Sequence, residues 1–169
     1  MKTFEELGVS EPIRKAIEEL GFVQPMPVQE EVIPYLLGNR NDVIALAQTG
    51  TGKTAAFGIP LLQRIATDSK ETQAIVLSPT RELCLQIAGD LNDYSKYIDG
   101  LKVLPVYGGS SIDSQIRSLK RGVHIIVATP GRLLDLMERK TVSLATVTNV
   151  VMDEADEMLN MGFTDSINA

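Results

Sequence analysis

Cysteine is all but missing from this chain: Cys84 is the only one in 169 residues. No disulfide can form within it, so its stability must come from a packed core, as is usual in a reducing compartment. Long apolar runs are missing as well. The unbroken ones are as short as Val43 to Ala47, too short to cross a bilayer. Positive charge is scarce, with 16 Lys+Arg against 22 Asp+Glu for a net charge of −6 and a sequence pI near 4.8. That balance excludes a protein that coats nucleic acid by bulk charge, and leaves room for local contacts from a few arginines and backbone amides. The first ten residues are polar and acidic where a secretory signal would be apolar, so a cytoplasmic protein is expected. What remains is ordinary: 44% apolar and 22% charged residues describe a globular chain. Its length suits one domain, able to bury roughly two-thirds of its unfolded surface.

Two periodicities alternate along the chain. Val43–Ala47, Ala74–Leu77, Val103–Val106, Ile125–Ala128 and Val150–Met152 are continuous apolar runs, as expected for strands covered on both faces. Between them, Leu83, Ile87 and Leu91, and then Leu133, Leu134 and Met137, recur at helical spacing. Repeated strand–helix order predicts an α/β fold, a mainly parallel sheet with helices on both faces and right-handed crossovers. Residues 1–38 read differently, as an N-terminal helical segment ahead of a core over 39–169. Ser10 is placed to cap a helix running to about Leu20, Gly21 to end it, and a second helix follows Pro27. Asn39–Asp42 and Thr67–Lys70 read as polar turns. Glu154–Asn168 reads as a helix with no strand after it, so the chain is expected to be the first part of a longer protein.

Chemistry concentrates where strands give way to helices. Ala47-Gln48-Thr49-Gly50-Thr51-Gly52-Lys53-Thr54 follows an expected strand and opens an expected helix. It is the phosphate-loop pattern with Ala47 in place of the first Gly. Gly50 and Gly52 let the backbone turn tightly and aim several N–H groups at one point. The helix start adds about half a positive charge. That does not balance a nucleoside triphosphate, so a formal cation and a metal are needed. Lys53 supplies the first, and the Thr54 hydroxyl suits Mg²⁺. The competing reading is a Gly-rich turn with an exposed lysine. After the last expected strand comes Asp153-Glu154-Ala155-Asp156. Asp153 is the candidate metal carboxylate, and Glu154 the candidate group that orients or deprotonates an attacking water. Acidic residues favouring a helix N-terminus are the alternative.

Taken together, Ala47–Thr54, Asp153–Asp156, Pro79-Thr80-Arg81-Glu82-Leu83, Gly108-Gly109 and Thr129-Pro130-Gly131-Arg132 resemble, in order and spacing, the motif set of DEAD-box RNA helicases, bacterial members included. The resemblance covers essentially the whole chain. It implies the first of that family's two RecA-like domains, with ATP and Mg²⁺ as ligands. Gly21-Phe22-Val23-Gln24-Pro25-Met26-Pro27-Val28-Gln29 resembles the family's adenine-recognition motif, with Met26 where a hydroxyl residue is usual. The resemblance therefore assigns Phe22, Gln24, Gln29, Thr49, Gly50, Thr51, Gly52, Lys53 and Thr54 to the nucleotide. A Gln amide pairs one donor and one acceptor with adenine N7 and N6–H₂, so Gln29 is expected to favour ATP over GTP. Phe22 offers a stacking face. Read alone, Phe22 and Phe4 suit a core and Gln29 a solvated helix. Phe4 is left as structural.

On the same resemblance, Thr80, Arg81, Gly108, Gly109, Thr129, Gly131 and Arg132 hold RNA by its backbone. Helix N-termini beside an arginine suit phosphate, though ordinary capping explains each turn equally well, and Arg81 and Glu82 could pair with neighbours. His124 is expected at a surface or strand end and Cys84 in the core. The family implies a second RecA-like domain that completes the ATP site, so these 169 residues alone are expected to bind nucleotide weakly and to hydrolyse it negligibly. A GTPase is excluded, because no Asn-Lys-x-Asp motif is present. A nucleotide-gated RNA clamp remains the alternative function.

Overall fold

Buried apolar runs and amphipathic segments alternate in the three-dimensional structure as they do in the sequence. The structure, a computed structural model, describes residues 3–38, 43–47, 53–108, 111–139, 146–147 and 149–153. Two helices come first, α1 (Glu11–Glu19) and α2 (Pro27–Gly38), followed by β1 (Val43–Ala47), α3 (Lys53–Gln63), β2 (Ala74–Leu77), α4 (Arg81–Tyr94), β3 (Val103–Val106), α5 (Ile112–Lys120), β4 (Ile125–Ala128), α6 (Pro130–Glu138) and β5 (Asn149–Asp153). The expected turn at 39–42 and helix at 154–168 lie outside the described residues.

All strand pairs are parallel, in the order β1-β5-β2-β4-β3. The chain therefore steps outward from β1 to β2 to β3, leaving gaps, and fills them on its return with β4 and β5. Right-handed crossovers going out and coming back must place their helices on opposite faces, and they do. Ala74, Val76, Ile125, Val127 and Val151 face Ile59, Leu62, Ile87 and Leu91 of α3 and α4. Their alternate neighbours Ile75, Leu77, Ile126 and Ala128 face Leu133 and Leu136 of α6, with Ile112, Ile116 and Leu119 of α5 packed alongside. β2 and β4 are buried throughout, which is why those runs do not alternate. Pro105 is tolerated because β3 is an edge strand.

The N-terminal segment joins the first of these cores through Phe4, Leu7, Val9, Ile13, Ile17 and Ile33. Ser10 stands at the N-cap of α1, but its side chain makes no capping bond. Its backbone N–H instead donates to Gln63 Oε1 at 2.9 Å, tying the segment to the end of α3. At the other end of α1, Gly21 adopts φ +94°. The N–H groups of Gly21 and Phe22 return to the carbonyls of Glu18 and Ile17, a pairing that needs a residue able to sit in the left-handed region. His124 is buried at the entry to β4. Its Nδ1 accepts from Lys102 N–H at 3.0 Å and its Nε2 lies 2.8 Å from Ser69 O, so it fastens two loops. Cys84 is fully buried in the core.

Candidate nucleotide and RNA sites at one sheet edge

A parallel sheet delivers the C-terminal ends of all its strands to one edge. Along that edge stand, in order, Ala47 of β1, Asp153 of β5, Leu77 of β2, Ala128 of β4 and Val106 of β3. Ala47 and Asp153 are register partners on adjacent strands, so their backbones lie about 5 Å apart. Lys53 is the first residue of α3. The strand ends that lead into the phosphate-loop segment and the acidic turn thus lie side by side. Asp153 is the last residue of its strand, one step beyond the run Val150–Met152, because pairing with β1 extends that far. Thr54 is half-buried in the first turn of α3. Thr49, Gly50, Thr51, Gly52 and Glu154 lie outside the described residues.

Phe22 is half-buried, its ring 6.0 Å from that of Tyr94 and tilted by 58°. Gln24 is exposed. Gln29 is only 2% exposed, which corrects the picture of a solvated helix residue. It lies at the third position of α2, and its Oε1 accepts from Met26 N–H at 2.9 Å. That bond satisfies an otherwise orphaned donor at the helix start and fixes which way the amide faces. Helix α2 packs along α3, the helix that Lys53 opens.

The other half of the edge gathers the remaining candidates. Thr80 caps α4, its hydroxyl accepting from Leu83 N–H at 3.2 Å. Arg81 pairs with neither Glu82 nor another carboxylate among the described residues; its guanidinium lies over the Tyr107 ring, 5.0 Å from the centroid. Thr129 occupies the N-cap of α6 without a side-chain capping bond. Its backbone N–H donates to Val106 O at 3.0 Å, so backbone pairing links β4 to β3 beyond the last ladder residue. Arg132 is half-buried and donates from Nη1 to Gln115 Oε1 at 2.8 Å. Gly108 and Gly131 are exposed, and a Cβ at either meets nothing within 4 Å among the described residues. Gly109 lies outside them.

Two residues here escaped the sequence reading. Tyr107 lies one residue past the Val103–Val106 run and carried no signal of its own. Gln115 carried a signal: it shares the apolar stripe of Ile112, Ile116 and Leu119, where a buried amide must find partners. Among the described residues no cluster of His, Cys, Asp and Glu could by itself hold a metal. No helix there is long and apolar enough to cross a membrane.

The sequence model of the family described as DEAD/DEAH box helicase matches residues 26–169. The chain belongs to that family. Among DEAD-box relatives, the ATP-dependent RNA helicase CshA of Bacillus cereus is 51% identical over 169 residues, which is all of this chain and 32% of that protein. The ATP-dependent RNA helicase DeaD of Escherichia coli is 49% identical over 98% of this chain and 26% of that protein. The crystal structure of a DEAD box protein from the hyperthermophile Methanococcus jannaschii matches with a TM-score of 0.87 and 42% identity, covering 98% of this chain and 45% of that one. The fold is therefore the RecA-like domain of the DEAD-box proteins. The chain spans about a third of the length of CshA and about a quarter of that of DeaD.

Proposed function

We propose that this DEAD-box chain is the N-terminal ATP- and RNA-binding domain of a cytoplasmic ATP-dependent RNA helicase. With a second RecA-like domain it couples ATP binding and hydrolysis to local separation of RNA strands. The register pairing of Ala47 with Asp153 carries the reading, because it brings the two strand ends close enough to share one triphosphate. Lys53 at the head of α3 neutralises the β and γ phosphates together with the backbone amides of the preceding loop. A hydroxyl and a carboxylate are the hard oxygen donors that Mg²⁺ prefers, and few are needed because it keeps several waters. Thr54 and Asp153 would hold it, and it would supply charge neutralisation at the phosphates. Glu154 takes the proton of the attacking water as its oxygen bonds to the γ phosphorus and the bond to the leaving ADP breaks. Gln29 reads the adenine edge and Phe22 stacks on the base. Thr80, Arg81, Gly108, Gly109, Thr129, Gly131 and Arg132 hold the RNA backbone.

The test is RNA-dependent ATP hydrolysis by the full-length protein, with Glu154→Gln beside it. The variant is expected to bind ATP and RNA normally and to turn over at least about 100-fold more slowly, within the range for a positioned general base. An unchanged rate removes Glu154 from its role. Absence of any RNA-stimulated turnover in the wild type would favour a clamp. Competition between ATP and GTP addresses Gln29, and equal affinities would contradict its assignment.

A further inference from the structure

Two motif arginines are linked through two residues that belong to neither motif. The Tyr107 ring lies under the Arg81 guanidinium, 5.0 Å from its centre. The Tyr107 carbonyl accepts from Gln115 Nε2 at 3.3 Å, while Gln115 Oε1 accepts from Arg132 Nη1 at 2.8 Å. Gln115 is 6% exposed, so its amide is held by its surroundings and uses both ends. One connected cluster thus joins the first turns of α4 and α6, helix α5 and the residue that follows β3.

We propose that Tyr107 and Gln115 are positioning residues, which set Arg81 and Arg132 as one preformed grip for phosphates of a single RNA strand. The inference rests on the RNA-binding reading above and adds who holds the arginines. A free arginine loses rotamer freedom when it binds phosphate; one already held has lost it on folding. The partner chemistry suits that task. Tyr107 holds the Arg81 guanidinium over its ring by cation–π attraction and brings no negative charge to it. Gln115 supplies a neutral acceptor, which orients Arg132 and itself brings no negative charge to it. A carboxylate at 115 would fix the same arginine and set a negative charge against the phosphate that approaches it.

That difference gives the experiment. Binding of a labelled single-stranded oligouridylate to the full-length protein with a non-hydrolysable ATP analogue is measured against salt. Variants are Arg81→Ala, Arg132→Ala, Gln115→Glu, Gln115→Met, Tyr107→Phe and Tyr107→Leu. Each arginine variant is expected to weaken binding about tenfold and to reduce the log–log salt slope by about 0.7. Gln115→Glu is expected to match Arg132→Ala in both respects while melting no earlier than wild type. Gln115→Met is expected to weaken binding several-fold and keep the slope, because the charge remains but its orientation does not. Tyr107→Phe keeps the ring and is expected to bind as wild type, whereas Tyr107→Leu is not. If Gln115→Glu lowers the melting temperature, the Tyr107 pair alone decides. Wild-type affinity and slope in Gln115→Glu and Tyr107→Leu, with both arginine variants impaired, overturn the positioning role and spare the RNA reading. Unimpaired arginine variants overturn both.

Discussion

Single side chains differ sharply in how openly the sequence announces them. Cys84 and Phe4 sit in apolar surroundings and are buried as their type predicts. Gln29 and Gln115 are buried amides, and their burial depends on partners that only folding supplies: a backbone N–H at a helix start for one, an arginine and a carbonyl for the other. Ser78 is the opposite case. It is fully buried just past β2, and its hydroxyl has no hydrogen-bond partner among the described residues. A buried hydroxyl without a partner opposes folding by about 1–3 kcal/mol. Ser78→Ala is therefore expected to leave stability unchanged or raise it by about 1 kcal/mol, as read by urea unfolding. A loss of 2 kcal/mol or more would reveal a partner for that hydroxyl. Burial, and then the charge of Asp93, hold the Asp90 carboxyl above its ordinary value. A carboxylate raised in this way opposes folding once ionised. The penalty is absent in acid, sets in as pH climbs from the unfolded towards the folded pKa, and persists at neutral pH. Asp90→Asn is expected to raise the melting temperature modestly at pH 7, with the gain vanishing below about pH 3. A gain that persists in acid would place its cause elsewhere.

Helices and strands were the most readable elements because their signals are periodic. All five apolar runs became strands, with β5 one residue longer at each end. Caps were read less well. Ser10 and Thr129 are cap residues by type and position, yet neither side chain caps, since each has backbone bonding elsewhere that fixes its loop. Packing between elements is where equal residues acquire opposite meanings. Gly58 in α3 faces α4 so closely that a Cβ would lie 2.8 Å from Leu91 Cδ2, whereas a Cβ at Gly89 on α4 meets nothing within 4 Å among the described residues. Leu91 is fully buried and has little room to yield. Alanine gains up to about 1 kcal/mol over glycine in a helix interior, and overpacking costs about 1–3 kcal/mol. Gly89→Ala is expected to stabilise by about 0.5–1 kcal/mol and Gly58→Ala to destabilise by about 1–2 kcal/mol. Equal effects of the two substitutions in denaturant titrations would show that α3 and α4 are not packed as described.

Across the molecule, strand order was the part that local sequence could not supply. Five parallel strands admit many orders, and nothing in a single apolar run says which neighbour it takes. The order β1-β5-β2-β4-β3 sorts the edge into two halves. β1 and β5 carry the candidate nucleotide groups; β2, β4 and β3 carry the candidate RNA groups. Strand spacing puts the two outer strands roughly 20 Å apart, far enough for separate ligands and near enough for β5 and β2 to link them. Movement at one half can then bias the other. The central claim is that Lys53 and Asp153 serve one nucleotide. Its most direct test is equilibrium binding of ATP to the full-length protein with and without Mg²⁺, for wild type, Lys53→Ala and Asp153→Asn. The account predicts that Lys53→Ala weakens ATP binding under both conditions, and that Asp153→Asn binds equally with and without the metal. Undiminished Mg²⁺ enhancement in Asp153→Asn, or wild-type ATP affinity in Lys53→Ala, would contradict it.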